Sequence, residues 1–267
     1  MTGIIGGSGL YKIPGLAFIE EIKLDSKYGA PSDAYLHYKH RDVSFYFLCR
    51  HGRSHSLAPH MINYRANIDG FAKLGVKQIV SFSATGGIAE NLKPGDIVIP
   101  DNAIDNTSGR QGTYYDTENI VHIDFTNPFC PELRRHIINN LNVPHRPSGV
   151  SICTNGPRLE TAAEIRAYRN WGADIVGMTL FPECVLAREL GICYANVSVV
   201  TNYAAGICDK PLTTDEVQEV MGRSAGIFSG IITDLAAFTP GGCGCGRSLE
   251  NTEMKPSRTR REISNAD

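Results

Sequence analysis

The stretch Gln78-Ile-Val-Ser-Phe-Ser83, followed by Ala84-Thr-Gly-Gly87, indicates the fold class. A short apolar run is typical of a buried strand, and the hydroxyls and glycines after it predict a loop at the strand's end. Similar strand-like runs alternate with helix-like runs along most of the chain, at residues 3–5, 17–22, 43–48, 96–99, 149–153, 174–176 and 193–200. This alternation predicts an α/β fold, in which helices cover both faces of a central β-sheet.

Helix boundaries are marked by residues that favour helix ends. Pro182 suits a first turn and Gly191 suits the position after a last turn, so a short helix is predicted over Pro182–Leu190. The run Thr213-Thr-Asp-Glu216 matches a capping box and predicts a longer helix from about Asp215 to Ala237. A further helix is predicted after Pro131.

The chain reads as one domain, because it has no internal repeat and no interior linker. We expect this domain to cover residues 1–240. Residues 241–267 begin with glycine and cysteine, continue with polar and charged side chains, and predict a flexible C-terminal tail.

Composition excludes several classes of protein. Of the 267 residues, 42% are hydrophobic and 20% are charged, which argues against disorder over most of the chain. The net charge of −2 argues against a surface that binds polyanions throughout. No apolar run is long enough for a membrane span, and the N-terminus passes directly into the strand-like Ile4-Ile5. We therefore expect no signal peptide and a cytoplasmic location.

The eight cysteines are scattered and are expected to be buried, reduced thiols. Cys243-Gly-Cys245 differs, because this pair could form a strained disulfide or a redox pair, or belong simply to a glycine-rich tail. A zinc site would need a second pair of ligands at suitable spacing, and none lies nearby in the sequence. No metal is expected.

Three loops that follow strand-like runs could surround an anion. Gly6-Gly-Ser-Gly9 lacks the further glycine of a dinucleotide fingerprint, the Gly-Lys-Ser/Thr of a Walker loop, and the Gly-x-Ser-x-Gly of a nucleophile elbow. Alone it is equally well a tight turn. Arg50 and His51 would provide a planar fork and a second donor, unless they are only a solvated strand end. With the Ser83 loop, these residues favour a pocket for an oxyanion.

The chain resembles the family of trimeric purine nucleoside phosphorylases and 5′-methylthioadenosine phosphorylases over nearly its whole length, up to about Pro240. The residues that carry the resemblance are Ile5-Gly-Gly-Ser-Gly-Leu10, Arg50-His-Gly-Arg53, Asn63-Tyr-Arg-Ala-Asn67, Ser83–Gly87, Gly95-Asp-Ile-Val98, Gly156-Pro-Arg-Leu-Glu-Thr161, Gly177-Met-Thr179, Pro182-Glu183, Ala187-Arg-Glu189 and Thr201-Asn202. Thr107-Ser-Gly-Arg110 and Tyr203-Ala-Ala-Gly206 are most similar to the subgroup that cleaves S-methyl-5′-thioinosine.

The resemblance implies a single α/β domain with a central mixed sheet and a phosphorolysis that needs no metal or organic cofactor. Inorganic phosphate is the co-substrate and attacks C1′ of a purine nucleoside. The residues implied to surround phosphate are Ser8, Arg50, His51, Ser83, Ala84 through its backbone, and Thr179. Met178 would lie against the ribose, although plain core packing is the ordinary role of such a methionine. His51, Glu160 and Asn202 are the residues expected to act in catalysis.

The choice of purine depends on Glu160 and Asn202. A 6-oxopurine has an N1–H group, which can donate a hydrogen bond to the Glu160 carboxylate. Adenine would instead present a lone pair at N1. Asn202 can donate to O6 or N7 and stabilise the departing base. Members of the family specific for methylthioadenosine commonly have a small hydroxyl residue and an aspartate at these two positions. We therefore expect hypoxanthine or guanine nucleosides as substrates, with S-methyl-5′-thioadenosine phosphorolysis as the alternative.

The 5′ end of the sugar is less well specified by the residues. Thr214 falls at the position that lines the 5′ pocket in relatives, but it also stands where a helix cap is expected. His122 matches a histidine that reaches in from a neighbouring subunit, so a homotrimer or a dimer of trimers is expected. Neither nucleic acid nor a membrane is an expected partner. Two other classes stay open: a nicotinamide-dependent dehydrogenase, which the missing fingerprint disfavours, and a purine-binding protein without turnover.

Overall fold

The computed structural model describes residues 1–10, 15–116, 119–208, 213–250 and 252, apart from the side chains of Thr214 and Ala237. Its strands are β1 (Thr2–Gly6), β2 (Ala17–Ile22), β3 (Tyr35–His40), β4 (Val43–Cys49), β5 (Gln78–Gly87), β6 (Ile97–Val98), β7 (Asn102–Asn106), β8 (His145–Arg146), β9 (Val150–Thr154), β10 (Ile175–Gly177) and β11 (Cys193–Tyr203). Its α-helices are α1 (Tyr64–Lys73), α2 (Pro131–Asn140), α3 (Ala162–Asn170), α4 (Leu180–Glu189) and α5 (Thr214–Asp234).

The strands of the described residues form one mixed sheet, which confirms the predicted fold class. Its main path runs β2-β3-β4-β1-β5-β10-β9-β7, and β11 joins β5 to β6 and β8. The pairs β1/β4, β1/β5, β5/β11, β9/β10 and β7/β9 are parallel, whereas β2/β3, β3/β4, β5/β10 and β6/β11 are antiparallel. The carboxyl ends of β1, β4, β5 and β11 therefore meet at one edge, where α/β sheets place ligands.

The middle of β5 is the point where the sheet opens. On one side, β5 pairs with β11 along its whole length. On the other side, its pairing with β1 reaches Ser81 and its pairing with β10 begins at Gly86. The backbone of residues 82–85 thus lies in a gap between two neighbouring strands. Polar main-chain groups in such a gap need side chains, water or a ligand as partners.

Two apolar clusters lie on the two faces of the sheet. One contains residues of α2 and α5, such as Leu133 and Phe228, and the other contains residues of α1 and α4, such as Phe71 and Leu186. Their burial removes apolar surface from water, which is the main favourable contribution to folding. Of the described helices, none is long and apolar enough to cross a lipid bilayer.

Two predicted helices agree with the structure in detail. α4 takes regular helical geometry after Phe181, whose backbone is extended, so the regular part begins at Pro182 as predicted. α5 begins one residue before the expected Asp215, and a 3₁₀ turn over Leu235–Ala237 follows it. The cap of α5 is Thr213, whose hydroxyl accepts a hydrogen bond from the Glu216 N–H. The capping role expected of Thr214 therefore belongs to its neighbour.

Residues 241–250, the described start of the predicted tail, contact the rest of the domain. The Glu132 carboxylate accepts hydrogen bonds from the N–H groups of Gly241 and Gly242 at 2.9 and 3.0 Å. Cys245 is buried and lies beside Cys130 and Cys193, which are distant in sequence. Residue 251 and residues 253–267 lie outside the described part of the chain, and the domain boundary at residue 240 stays a prediction.

Candidate active site

A cavity of about 500 Å³ opens at the carboxyl ends of β1, β4, β5 and β11. Nine of the eleven residues predicted to form the site line it: Ser8, Arg50, His51, Ser83, Ala84, Glu160, Met178, Thr179 and Asn202. They come from six separate stretches of the chain, which the strands of the sheet bring together around the gap in β5. The size suits a small-molecule ligand.

One end of the cavity is built from the three loops that the sequence associates with an oxyanion. Gly6 on β1 is paired with Cys49 on β4, so the residues that follow these strands, Ser8 and Arg50, lie in adjacent loops. Ser83 and Ala84 lie in the gap of β5. Thr179 precedes α4 and makes no capping hydrogen bond through its side chain. Hydroxyls, main-chain groups and a guanidinium therefore converge, as an anion requires.

The Arg50 guanidinium is fully buried and already holds one carboxylate. Its Nε donates to Glu183 Oε2 at 2.7 Å, and its Nη2 donates to Glu183 Oε1 at 2.9 Å. Its Nη1 donates to the Phe82 carbonyl in the gap of β5 at 3.2 Å. The sequence predicts a fork that is free for phosphate, but one edge of it is bound to Glu183. Only the N–H groups on the outer edge of Nη1 and Nη2 are left for a ligand.

A buried chain of hydrogen bonds continues from Glu183 to the cavity. Tyr194 donates to Glu183 Oε1 at 2.6 Å, and its oxygen lies 2.6 Å from the Ser81 hydroxyl. The Asn196 amide nitrogen donates to Ser81 at 2.8 Å and to Ser83 at 2.9 Å. Burial and the Glu183 carboxylate raise the pKa of Tyr194 well above its usual value, so its phenol remains a donor. Arg50 and Ser83 are thus held by one connected network.

His51 is a neutral acceptor in this arrangement. Its Nδ1 lies 2.8 Å from the Leu57 carbonyl, which can only accept, so Nδ1 carries the proton. Burial, with smaller contributions from the charges of Arg50 and His55, lowers the pKa of His51 to about 4. The sequence predicts His51 as a donor to the anion, but at neutral pH its Nε2 has a lone pair. That lone pair can accept a hydrogen bond from the O–H group of monohydrogen phosphate.

The opposite end of the cavity holds a carboxylate and an amide. Glu160 is half-buried, and Thr154 at the end of β9 donates to its Oε1 at 2.7 Å. Asn202 is buried near the end of β11, where Thr201 donates to its Oδ1 at 2.9 Å. The Asn202 nitrogen donates to the Tyr203 carbonyl at 2.9 Å. Each group keeps hydrogen-bonding capacity for a ligand.

Arg110 ties the loops in the middle of the cavity together. Its Nη2 donates to the carbonyls of Thr154, Asn155 and Met178 at 3.2, 3.1 and 2.8 Å. Met178 also packs against Gly156, where φ is +57° and a Cβ would overlap the methionine sulfur. Only glycine adopts this positive φ readily and also leaves room for the sulfur. The strand end that precedes Glu160 is therefore fixed relative to Met178.

The other two residues predicted for the site, His122 and Thr214, are not among the described residues that line the cavity. His122 is exposed, and its backbone N–H donates to the Thr252 carbonyl at 3.1 Å. Thr214 is the first residue of α5, and its side chain lies outside the described parts of the chain. α5 does contribute Val217 to the cavity.

Sequence reasoning missed the roles of Glu183, Tyr194, Asn196 and Arg110. Glu183 is 133 residues from Arg50, so nothing local links them. Polar Asn196 and Ser198 within the apolar run of β11 were the available signal, because buried polar groups in a strand need partners.

Comparisons with known proteins agree with this architecture. A model of the phosphorylase superfamily matches residues 2–237. The chain is 47% identical to a probable S-methyl-5′-thioinosine phosphorylase of Thermodesulfovibrio yellowstonii, with 94% of this chain and 97% of the relative covered. It is 45% identical to the 6-oxopurine nucleoside phosphorylase of Pyrococcus furiosus, with 92% and 97% covered.

A solved structure extends the likeness to the fold. The methylthioadenosine phosphorylase sourced from an Antarctic soil metagenomic library is 34% identical and superposes with a TM-score of 0.85, covering 96% of this chain and 92% of that one. The family match and these identities span nearly the whole described chain. This chain belongs to the phosphorylase superfamily.

Proposed function

We propose that this protein phosphorolyses 6-oxopurine nucleosides, with S-methyl-5′-thioinosine, inosine and guanosine as candidates. The products are the free purine base and ribose 1-phosphate or its methylthio analogue, as in the salvage of purines and methylthio nucleosides. The observation that carries the proposal is that Glu160 and Asn202 line the same cavity as the anion-site residues. Relatives named for these activities support it.

The anion end of the cavity supplies the nucleophile. We propose that phosphate is held by the outer edge of Arg50, the hydroxyls of Ser8, Ser83 and Thr179, and the Ala84 N–H. His51 Nε2 would accept a hydrogen bond from the O–H group of monohydrogen phosphate. A phosphate oxygen then attacks C1′ of the nucleoside while the bond from C1′ to the base breaks. The ribosyl carbon becomes positively charged on the way, and the bound phosphate stabilises that charge. The nucleophile is phosphate itself, so we propose neither a metal nor an organic cofactor for the reaction.

The other end of the cavity selects and stabilises the base. In the proposed pose, Glu160 accepts the N1–H of a 6-oxopurine and Asn202 donates to O6 or N7. Negative charge that develops on the departing base is stabilised by the Asn202 amide. Adenine would place its N1 lone pair against the Glu160 carboxylate, and an unmatched polar group of this kind strongly disfavours a ligand.

The finer assignments are also part of this proposal. We propose a homotrimer, or two stacked trimers, in which His122 of one subunit completes the 5′ region of its neighbour. The exposed position of His122, away from the cavity of its own chain, supports this. Thr214 would face the 5′ substituent from the start of α5. We propose that the reaction takes place in the cytoplasm.

The second candidate function is S-methyl-5′-thioadenosine phosphorolysis. It is favoured by the name of the solved relative and disfavoured by Glu160, because adenine has no N1 proton to donate. The two functions differ in the base released, hypoxanthine in one case and adenine in the other.

A substrate panel tests the proposal. The protein is incubated with inosine, guanosine, adenosine, methylthioinosine and methylthioadenosine, with and without phosphate, and kcat/KM is measured for each. We expect base release that requires phosphate or arsenate and favours the 6-oxopurine of each pair. Equal or faster release of adenine would support the second function, and release independent of phosphate would contradict phosphorolysis.

A further inference from the structure

Four cysteine thiols meet at the end of the sheet opposite to the cavity. The Sγ atoms of Cys130, Cys193, Cys243 and Cys245 all lie within 4.8 Å of one another, and those of Cys193 and Cys243 are 3.4 Å apart. Cys130, Cys193 and Cys245 are buried, and Cys243 is half-buried. The sequence analysis found no partners for Cys243 and Cys245 nearby, because the partners come from positions 50 and more residues away.

The spacing of the sulfurs fits a single tetrahedral metal ion. A zinc–thiolate bond is about 2.3 Å, so the corners of a zinc tetrathiolate are about 3.8 Å apart. Four sulfurs within 4.8 Å of one another need only small side-chain adjustments to reach these positions. In two separate disulfides, each sulfur would have to lie about 2 Å from one partner and move away from the other two sulfurs.

We propose that Cys130, Cys193, Cys243 and Cys245 bind one Zn²⁺ ion as a structural tetrathiolate site. On binding, the four thiols give up their protons to solvent and no electron is transferred, so the step needs no oxidant. All four positions of the ion are filled by protein, as in structural rather than catalytic zinc sites.

The surroundings of the thiols suit metal-bound thiolates. Cys130 is the N-cap of α2, and its sulfur accepts the Leu133 N–H at 3.5 Å. A helix N-terminus and an N–H donor both stabilise a negatively charged sulfur. Together these groups offset part of the negative charge of a buried tetrathiolate.

The backbone around Cys243 and Cys245 is held over α2. Glu132, in the first turn of α2, accepts from the N–H groups of Gly241 and Gly242. Glycines at 241, 242, 244 and 246 leave room for a tight loop of the kind that brings a Cys-x-Cys pair to one ion. The metal would therefore join three parts of the chain: the start of α2, the start of β11 and the segment after α5.

The location predicts a stabilising role. Cys193 begins β11 and Asn202 stands near its other end, so the ion and the base end of the cavity lie at opposite ends of the same strand. Ion removal should lower the thermal stability of the protein. It should affect turnover much less, because no cavity residue is a proposed ligand.

Metal analysis of the full-length protein tests the proposal. The chain is purified in the presence of a phosphine reductant, supplied with Zn²⁺, desalted, and measured for zinc by inductively coupled plasma mass spectrometry. We expect one zinc per chain and a lower melting temperature after chelation. Replacement with Co²⁺ should give the visible d–d bands of tetrahedral cobalt thiolate.

Two serine variants locate the ion. Cys243→Ser removes the half-buried ligand, and we expect zinc affinity to fall by about 100-fold or more, because even the loss of a supporting partner of a ligand costs about 10–100-fold. Cys208→Ser changes another half-buried cysteine outside the cluster and should retain one zinc. If Cys243→Ser fails to fold, the cobalt spectrum of the wild-type chain still shows whether thiolates bind the metal tetrahedrally. The proposal would be overturned if the reduced protein took up neither metal. It would also be overturned if the purified protein contained no metal and gained four free thiols on reduction, because the four cysteines would then form disulfides.

Discussion

Arg50 and Glu183 form a fully buried, two-point ion pair directly behind the anion end of the cavity, with N–O distances of 2.7 and 2.9 Å. The pair neutralises most of the charge that Arg50 would otherwise present. An arginine that binds phosphate with its outer edge alone is a weaker but more accurately placed donor. We therefore expect Glu183 to act on a bound phosphate through Arg50, as a positioning residue.

Glu183→Gln should destabilise the fold and weaken phosphate binding. Breaking a buried pair leaves an uncompensated cation and costs about 3–5 kcal/mol. We expect a loss of this size in the unfolding free energy and a higher KM for phosphate, with a smaller change in KM for the nucleoside. Urea denaturation and initial-rate kinetics measure the two effects.

Glu90→Gln is the matched control, since Glu90 pairs with Arg169 on the surface, where 78% of the glutamate side chain is exposed. We expect no measurable loss there, because exposed pairs contribute little. An equal effect of both variants, or an unchanged phosphate KM in Glu183→Gln, would contradict the positioning role.

The elements nearest to the cavity could largely be predicted from the sequence. β1, β4, β5 and the start of β11 are mainly apolar runs, and the glycine, arginine and hydroxyl residues beside them can be recognised in the sequence. β3, β7 and β8 were not predicted, and β7 shows a physical reason. β7 (Asn-Ala-Ile-Asp-Asn) has no apolar pattern and is held as a strand by its parallel register with β9, so tertiary pairing overrides local preference.

His51 should make stability depend on pH. Its folded pKa of about 4 lies below the unfolded value of 6.5, so the unfolded chain binds an extra proton between these two pH values. Unfolding free energy is therefore greatest above pH 6.5 and falls as the pH falls toward 4. The loss from this residue at pH 5 should be about 2 kcal/mol relative to pH 7.

Comparison with His51→Gln isolates this contribution. Glutamine does not titrate, so the variant should lose about 2 kcal/mol less than the wild type between pH 7 and pH 5 in urea denaturation. Parallel pH dependence of the two proteins would mean that folding does not lower the pKa of His51.

Arg110→Lys should impair turnover without removing charge. A lysine cannot reach the carbonyls of Thr154, Asn155 and Met178 together, because it lacks the planar fork of arginine. Misplacing a substrate-binding loop by about 1 Å can cost about 100-fold. We expect a fall of about 10–100-fold in kcat/KM for the nucleoside, and a smaller change in KM for phosphate, in steady-state assays.

Arg158→Lys is the control for this prediction. Arg158 lies in the same loop as Glu160, but its side chain is 66% exposed and pairs with Glu164. Its replacement should change kcat/KM little. If both arginine variants behave alike, the carbonyl contacts of Arg110 are not what positions the loop.

The long-range contacts of the site explain what the sequence could not provide. Motif reasoning predicted that Arg50 faces an anion, but not that Glu183 takes one edge of its guanidinium. It predicted His51 as a donor, whereas the Leu57 carbonyl fixes the opposite role for Nε2. Residue types show which groups can bind a ligand. Which of their donors and acceptors are already used within the fold can be seen only in the three-dimensional structure.

Base selectivity should reverse when Glu160 and Asn202 are changed together. In Glu160→Ser with Asn202→Asp, the serine hydroxyl can donate to adenine N1, and the aspartate can accept from the 6-amino group or from a protonated N7. Sites that hydrogen-bond a substrate group discriminate by about 10⁴–10⁵-fold. We expect the ratio of kcat/KM for methylthioinosine over methylthioadenosine to fall by at least about 100-fold. The ratio is measured by following hypoxanthine and adenine release in one phosphate-containing mixture. Glu164→Gln is the control, because it alters a half-buried carboxylate that lies four residues after Glu160 and pairs with Arg158. It should keep the wild-type ratio. An unchanged ratio in the double variant would mean that the purine edge contacts other residues of the cavity, because neither replacement can then face N1, O6 or N7.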